Sequence, residues 1–311
     1  MIISVYVPLI AALVIGRCFR WRRFLPGHPA FQTWTVTIVS VVTATMSTWS
    51  LVLLATARID RVAYVTERVH LIGVLLRRSE HVPLAVSLLA VLLLAIRGCR
   101  VGRVLVRARR ARRAADRFRS TNIGALVVVA DENPIAFALV ASRHYPATIV
   151  LSTAVFATVP AEQRRAVLAH EQAHLALRHH AHRGAVNIAV ALEPFLSPAG
   201  ALSGSVIERW ADEHAATDSK LRRTAADAIG TFVRLTTTPQ RVGYTPPAAQ
   251  LLGGLAYDGH AAAGRIEALL YPAPPRRIIH FLPVAVETAL IVSAAGDATQ
   301  QLARLVHAAI R

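Results

Sequence analysis

The sequence predicts an α-helical membrane protein, with about four transmembrane helices and a cytoplasmic α+β domain. Three observations point there. Hydrophobic residues make up 54% of the 311-residue chain, and the mean hydropathy of +0.44 exceeds what an ordinary soluble domain carries. The apolar residues gather in separate runs of roughly membrane-spanning length. The net charge of +17 comes almost wholly from arginine, Lys220 being the single lysine. Those arginines crowd beside the apolar runs, as orientation signals do.

The first run, residues 2–16, is followed by Arg17, Arg20, Arg22 and Arg23. A signal peptide would carry its positive charge first and end in a cleavage site, so this reads as a membrane helix with its N-terminus outside. It is short for a hydrocarbon core and is expected to borrow Cys18 and Phe19. Thr35–Ala57 is a full-length second run, whose hydroxyl side chains are expected to hydrogen-bond within the bundle. In the charged stretch 58–81, the apolar patch Leu71–Leu76 is too short to cross, and Val82–Ile96 is the third run. Ten arginines then fall between Arg97 and Arg119. The positive-inside rule places them in the cytoplasm, where their position directly after a run favours anionic lipid headgroups. Direct nucleic-acid binding, the other use of so basic a segment, is not expected.

With three crossings and an external N-terminus, the segment that follows is cytoplasmic. The expected layout is a three-helix membrane region (1–96), a basic juxtamembrane segment (97–119) and a cytoplasmic domain (120–277). A fourth transmembrane helix (278–296) and a short external tail (297–311) complete it. Gly124–Ala130 and Ile149–Leu151 read as strands, with Ile135–Val140 between them as an edge strand. Cys18 and Cys99 each lie among arginines at the end of an apolar run, with no spacing that suggests a disulfide framework.

The chemistry is concentrated in VPAEQRRAVLAHEQAHLALRHH, which contains His170-Glu171-Gln172-Ala173-His174. This is H-E-x-x-H on an expected helix, with Pro160 and Glu162 suited to its first turn. Helical periodicity stacks His170 above His174, so two imidazoles can take two corners of a tetrahedral Zn²⁺. Glu171 reaches the open corner, where it can deprotonate a bound water. Two incidental histidines are the alternative, and a third ligand decides against it. Glu208 and Asp212 lie four residues apart on one face of a second expected helix. Glu208 would complete the ligand set, and Asp212 would orient a ligand imidazole from behind.

ALVVVADENPIAFALV and ATIVLSTAVFATVPAEQRRAVLAHEQAHLALRHH, together with the Glu208 segment, resemble the core of integral-membrane gluzincin peptidases. That group includes the CAAX prenyl-protease, the HtpX-type heat-shock proteases and the BlaR-type antirepressor peptidases. The segment His182–Ala216 is closer to the BlaR type, with Asn187, then Phe195-Leu-Ser-Pro198, then Glu208-x-x-Ala211-Asp212. Ser197 stands where that branch has Asn, and Ala211 follows the HtpX and CAAX pattern.

The resemblance implies a zincin-like peptidase domain, bound zinc and a protein substrate, in a multi-pass protein of a bacterial cell membrane. The substrate would be a winged-helix repressor in a signalling role, or membrane proteins in quality control. It also implies that the edge strand pairs with extended substrate, although a plain structural hairpin fits the residues equally. A basic residue corresponding to Arg265 can support the oxyanion in these families, and a salt bridge within its own helix is the alternative. The penicillin-binding domain of BlaR-type receptors has no counterpart in 297–311, so β-lactam sensing through such a domain is not expected. A non-catalytic membrane scaffold is the reading from another class, and it would have no need of Glu171.

His179, His180 and His182 trail the metal helix and read as headgroup or solvent contacts. Residues 185–202 are apolar but interrupted by Glu193, Pro194 and Pro198, which suggests a hairpin dipping into the membrane interface. Ala225–Leu235 reads as helix and Thr236–Pro247 as loop. Glu287, near the centre of the fourth run, has either a functional role or a hydroxyl partner on a neighbouring helix.

Overall fold

The computed structural model describes residues 2–21, 27–56, 83–236 and 259–274, with isolated residues up to 300. The stretch 58–81, the expected loop from residue 237 onward, the fourth run with Glu287 and the tail therefore lie outside the described residues, apart from those isolated positions.

The first run forms α1, Ile2–Trp21, which takes in Cys18 and Phe19 as expected. The second forms α2, Pro29–Thr56. Thr33, Thr37, Thr45 and Thr48 of α2 donate hydrogen bonds to carbonyls one turn back in the same helix, so these hydroxyls are satisfied without water. The third run opens α3, Leu84–Thr121, a single 38-residue helix about 57 Å long. Its apolar half and its arginine-rich half are continuous, because arginine is a good helix former and neither Gly98 nor Gly102 breaks the hydrogen-bond ladder. Among the described residues, α2 and α3 are long and apolar enough to cross a membrane.

Three short strands follow: β1, Leu126–Val129; β2, Ala136–Leu139; and β3, Thr148–Ser152. β3 is the middle strand, buried along its whole length, parallel to β1 and antiparallel to β2. The register pairs Val127 with Val150 and Phe137 with Val150 on either side. β2 is therefore an edge strand, as its sequence suggested. The far end of α3 closes one face of the sheet through Ala115 and Phe118 against Leu139 and Val150. Buried Arg119 donates to the carbonyls of Val140 and Pro146, tying that helix end to the turn after β2.

A short helix α4, Thr153–Thr158, leads to the metal-motif helix α5, Ala161–Ala176, which packs against β2 and β3. Then come α6, His179–Leu192; a 3-10 turn, Pro194–Leu196; and α7, Ser197–Ala215. α6 and α7 form a helical hairpin lying along α2, and α7 also packs on α1. Val186, Ala189, Leu196, Leu202 and Val206 meet Ile15, Val36 and Val39 in one apolar core.

The hairpin expected over residues 185–202 is present as two helices joined by the 3-10 turn. Pro194 opens the 3-10 turn and Pro198 sits in the first turn of α7, positions where a missing N–H leaves no helical hydrogen bond unmade. Both flanking segments are then free to be regular helices. Gly16 lets α1 approach the hairpin tip: a Cβ there would meet the Phe195 carbonyl oxygen, at a separation no real contact shows. At the same tip Glu193, 1% exposed, accepts hydrogen bonds from Ser47 and Arg97, and Arg97 also donates to Thr48. Arg97 is thus an internal ion-pair partner, unlike the lipid-facing arginine its sequence position suggested.

Helix α8, Ser219–Thr236, covers the Ala225–Leu235 segment expected to be helical. Asp218 accepts from the backbone N–H groups of Lys220 and Leu221 at its start, satisfying two donors that a helix N-terminus leaves unpaired. Helix α9, Gly259–Leu270, packs on α8 and α7. Buried Arg222 of α8 donates to the carbonyls of Ala268, Leu269 and Tyr271 and pairs with Glu213 of α7. One guanidinium therefore fastens the end of α9 to both neighbours, which sets where Arg265 projects.

Candidate metal centre

The centre is built where α5 crosses α7. His170 and His174 are one turn apart on α5, with ring centroids 4.8 Å apart and Nε2 atoms 3.1 Å apart. From α7, Glu208 presents Oε2 at 3.3 Å from His170 Nε2 and Oε1 at 3.5 Å from His174 Nε2. Potential ligand atoms of these three residues lie within 4.8 Å of one another, and the group is the candidate metal-binding cluster found among the described residues. Two imidazole lone pairs turned toward each other and toward a buried carboxylate need a cation or protons between them. A borderline-soft ion that accepts nitrogen and oxygen ligands fits this donor set, so the residues suit zinc.

The surrounding charges hold this arrangement. His170 Nδ1 lies 2.9 Å from Asp212 Oδ1. Arg265 grips Asp212 with two hydrogen bonds, Nε to Oδ2 and Nη2 to Oδ1, each 2.7 Å. Its Nη1 lies 3.3 Å from Glu208 Oε2, and Arg183 Nη2 lies 3.5 Å from Glu208 Oε1. These contacts pair Arg265 with two carboxylates of α7. Its guanidinium fork is engaged by Asp212 of α7, with the Arg222 clamp setting its place.

Burial raises the pKa of Asp212, but Arg265 and His170 outweigh burial and hold the carboxyl below its ordinary value. Burial likewise opposes ionisation of Glu208, yet contacts with His170, His174 and Arg265 keep it well below the usual carboxylate range. For His170, burial disfavours the imidazolium, while the Asp212 and Glu208 contacts prevail and push its pKa up to about 10. Glu171 behaves in the opposite way. Burial pushes its carboxyl up, with His170 and His174 pulling down and Glu208 adding to the rise. The site thus separates an ionised ligand carboxylate from one poised to exchange a proton, the pattern expected of acid–base chemistry.

The three trailing histidines divide. His180 is exposed, as expected, but His179 and His182 are buried and contact neither solvent nor headgroups. His179 Nδ1 lies 3.0 Å from His174 Nδ1, on the side of that ring away from Glu208. Burial, and then the nearby His174, lowers the His179 pKa to about 3, so it is neutral. His182 Nδ1 lies 3.0 Å from the Thr37 hydroxyl of α2, and its ring meets Trp34 edge-on at 4.6 Å. The link that brings His179 under His174 is Arg178, whose φ of 53° and ψ of 38° are left-handed and turn the chain between α5 and α6.

No curated protein and no solved structure matches the chain. A protein family does, over under half of the length: residues 105–238 match peptidase family M48. That stretch includes His170, Glu171, His174, His179, Glu208 and Asp212, and excludes α1, α2 and Arg265. The part of the chain that builds the centre is therefore similar to a metallopeptidase of family M48, a family that is typically zinc-dependent.

Proposed function

We propose that this protein is a membrane-embedded zinc endopeptidase that hydrolyses protein substrates from the cytoplasmic side. The observation that carries the reading is the convergence of His170, His174 and Glu208 beside the protonatable Glu171. His170, His174 and Glu208 would hold the metal. When bound, zinc supplies a Lewis acid that acidifies water and polarises a carbonyl. Glu171 takes a proton from the attacking water and returns it to the leaving amine, a task suited by a carboxyl whose pKa burial has raised. Asp212 fixes the His170 ring through Nδ1, and Arg265 holds Asp212 in its ionised form. The apolar α2 and α3, joined to the peptidase unit by an unbroken helix, support membrane embedding.

For the biological role, we infer proteolysis of a winged-helix repressor, on the four-span layout and the BlaR-like segment His182–Ala216 read from the sequence. Purified wild type and Glu171→Gln, each in detergent, test the proposal against a panel of repressor and membrane-protein substrates. Zinc retained in both, with cleavage lost in the variant, is expected, and the panel member cleaved names the substrate class. Equal cleavage by both would remove Glu171 as the base.

A further inference from the structure

The ring of His174 has two nitrogens, and each faces a defined neighbour. Nε2 points to His170 Nε2 at 3.1 Å and Glu208 Oε1 at 3.5 Å, the locus where the ligand atoms converge. Nδ1 faces His179 Nδ1 at 3.0 Å. If Nε2 offers its lone pair to a metal, the ring proton must sit on Nδ1. A donor on His174 Nδ1 requires an acceptor on His179 Nδ1, so the His179 proton sits on Nε2. That nitrogen is buried and has no hydrogen-bond partner among the described residues. The bond to His174 therefore leaves one buried donor of His179 unpaired, and the Trp210 ring packs against the same imidazole at 4.9 Å.

We infer that His179 is a positioning residue for the metal centre: a neutral imidazole that accepts a hydrogen bond from His174 Nδ1 and thereby fixes the tautomer and ring angle of that ligand. The inference rests on the zinc reading above. The two ligand histidines are then oriented by different chemistry, His170 by the Asp212 carboxylate and His174 by an uncharged ring. An uncharged partner adds no third buried negative charge beside Glu208 and Asp212, for which Arg265 and Arg183 already provide the nearby cations.

The surrounding structure explains how His179 is held. It opens α6 directly after left-handed Arg178, while His182, one turn further on, contacts Thr37 and Trp34 of α2. Helix α6 is thus fastened to an apolar helix one turn beyond His179. His179 presents its ring from a fixed platform.

The test uses the full chain in detergent and measures Zn²⁺ affinity by chelator competition, with the visible absorption of the Co²⁺-loaded protein as a second readout. His179→Asn keeps an acceptor oxygen at the place of Nδ1. His179→Leu removes the acceptor, and His179→Gln moves its oxygen one bond further out. Loss of such a hydrogen bond to a metal ligand weakens affinity by about 10–100-fold. We expect that loss and an altered Co²⁺ band in the Leu and Gln variants, with His179→Asn within about threefold of wild type. Wild-type affinity in His179→Leu would overturn the inference. So would equal affinities in the Asn and Gln variants, which would reduce His179 to a filler of polar space and still discriminate if the Leu variant failed to fold. Absence of zinc binding in wild type would instead remove the metal centre itself, a failure distinct from that of His179.

Discussion

Glu171 connects stability to mechanism at the scale of one residue. Its folded pKa is raised above 4.5 by burial, so between the two values the folded chain holds a proton that the unfolded chain has released. Stability therefore falls as pH rises through that window, and the penalty persists above it. Glu171→Gln should raise the thermal unfolding midpoint of the metal-free protein at neutral pH while abolishing cleavage. The wild-type and variant midpoints should converge once the pH falls below 4.5, as calorimetry across pH would show. Asp212 has the opposite sign: its depressed pKa contributes stability above its ordinary value of 3.8, which is lost on acidification through the folded pKa. Arg265→Ala removes the guanidinium that makes two hydrogen bonds to that buried carboxylate and should cost about 3–5 kcal/mol in denaturant unfolding. His170, Glu171 and His174 are legible in the sequence because their spacing matches one helical turn, and Glu208 with Asp212 for the same reason. His179 is not legible. Five residues beyond His174, it would point elsewhere on a continuous helix, and the break at Arg178 has neither glycine nor proline to announce it. The partner of Arg265 lies 53 residues away in sequence, and only the packing of α9 brings the two together.

At the scale of elements, two junctions set the site's geometry. A left-handed non-glycine residue is strained, because its Cβ crowds the following carbonyl. Arg178→Gly should therefore stabilise the protein by about 0.5–1 kcal/mol, the relief slightly outweighing the added freedom of the unfolded chain. Equilibrium unfolding in urea would measure it. The second junction is Gly16, where the opposite holds: Gly16→Ala sets a methyl against the Phe195 carbonyl and should destabilise by about 1–3 kcal/mol as the hairpin tip is forced off α1. The strands were legible from β-branched runs bounded by turn residues, and their edge order agrees. The hairpin was legible from Glu193, Pro194 and Pro198, and both prolines lie at the turn between its two helices. Arginines after Ile96 suggested a boundary of environment, and the backbone ignores it.

Among the described residues, the unit similar to family M48 and the apolar helices share one framework. α3 runs from the apolar bundle to the sheet, the α6–α7 hairpin runs from the metal ligands to the middle of α2, and Arg97 with Glu193 closes the loop between them. Thr37 and Ser47, the α2 contacts of His182 and Glu193, are about 15 Å apart along that helix. Arg97→Ala leaves Glu193 buried without its cation and should lower stability by about 3–5 kcal/mol, whereas Arg97→Met with Glu193→Leu should recover most of it. Thermal unfolding in detergent distinguishes the two. Such a pair was not legible because its partners are 96 residues apart and each, alone, reads as a surface charge. The central claim, a metal centre formed by α5 and α7, is tested most directly by metal analysis and zinc-edge X-ray absorption on the purified chain and on Glu208→Ala. The account predicts one zinc per chain with imidazole and oxygen ligands and no sulfur, and greatly weakened binding in the variant. Zinc absent from wild type, held by sulfur, or undiminished in Glu208→Ala would contradict it.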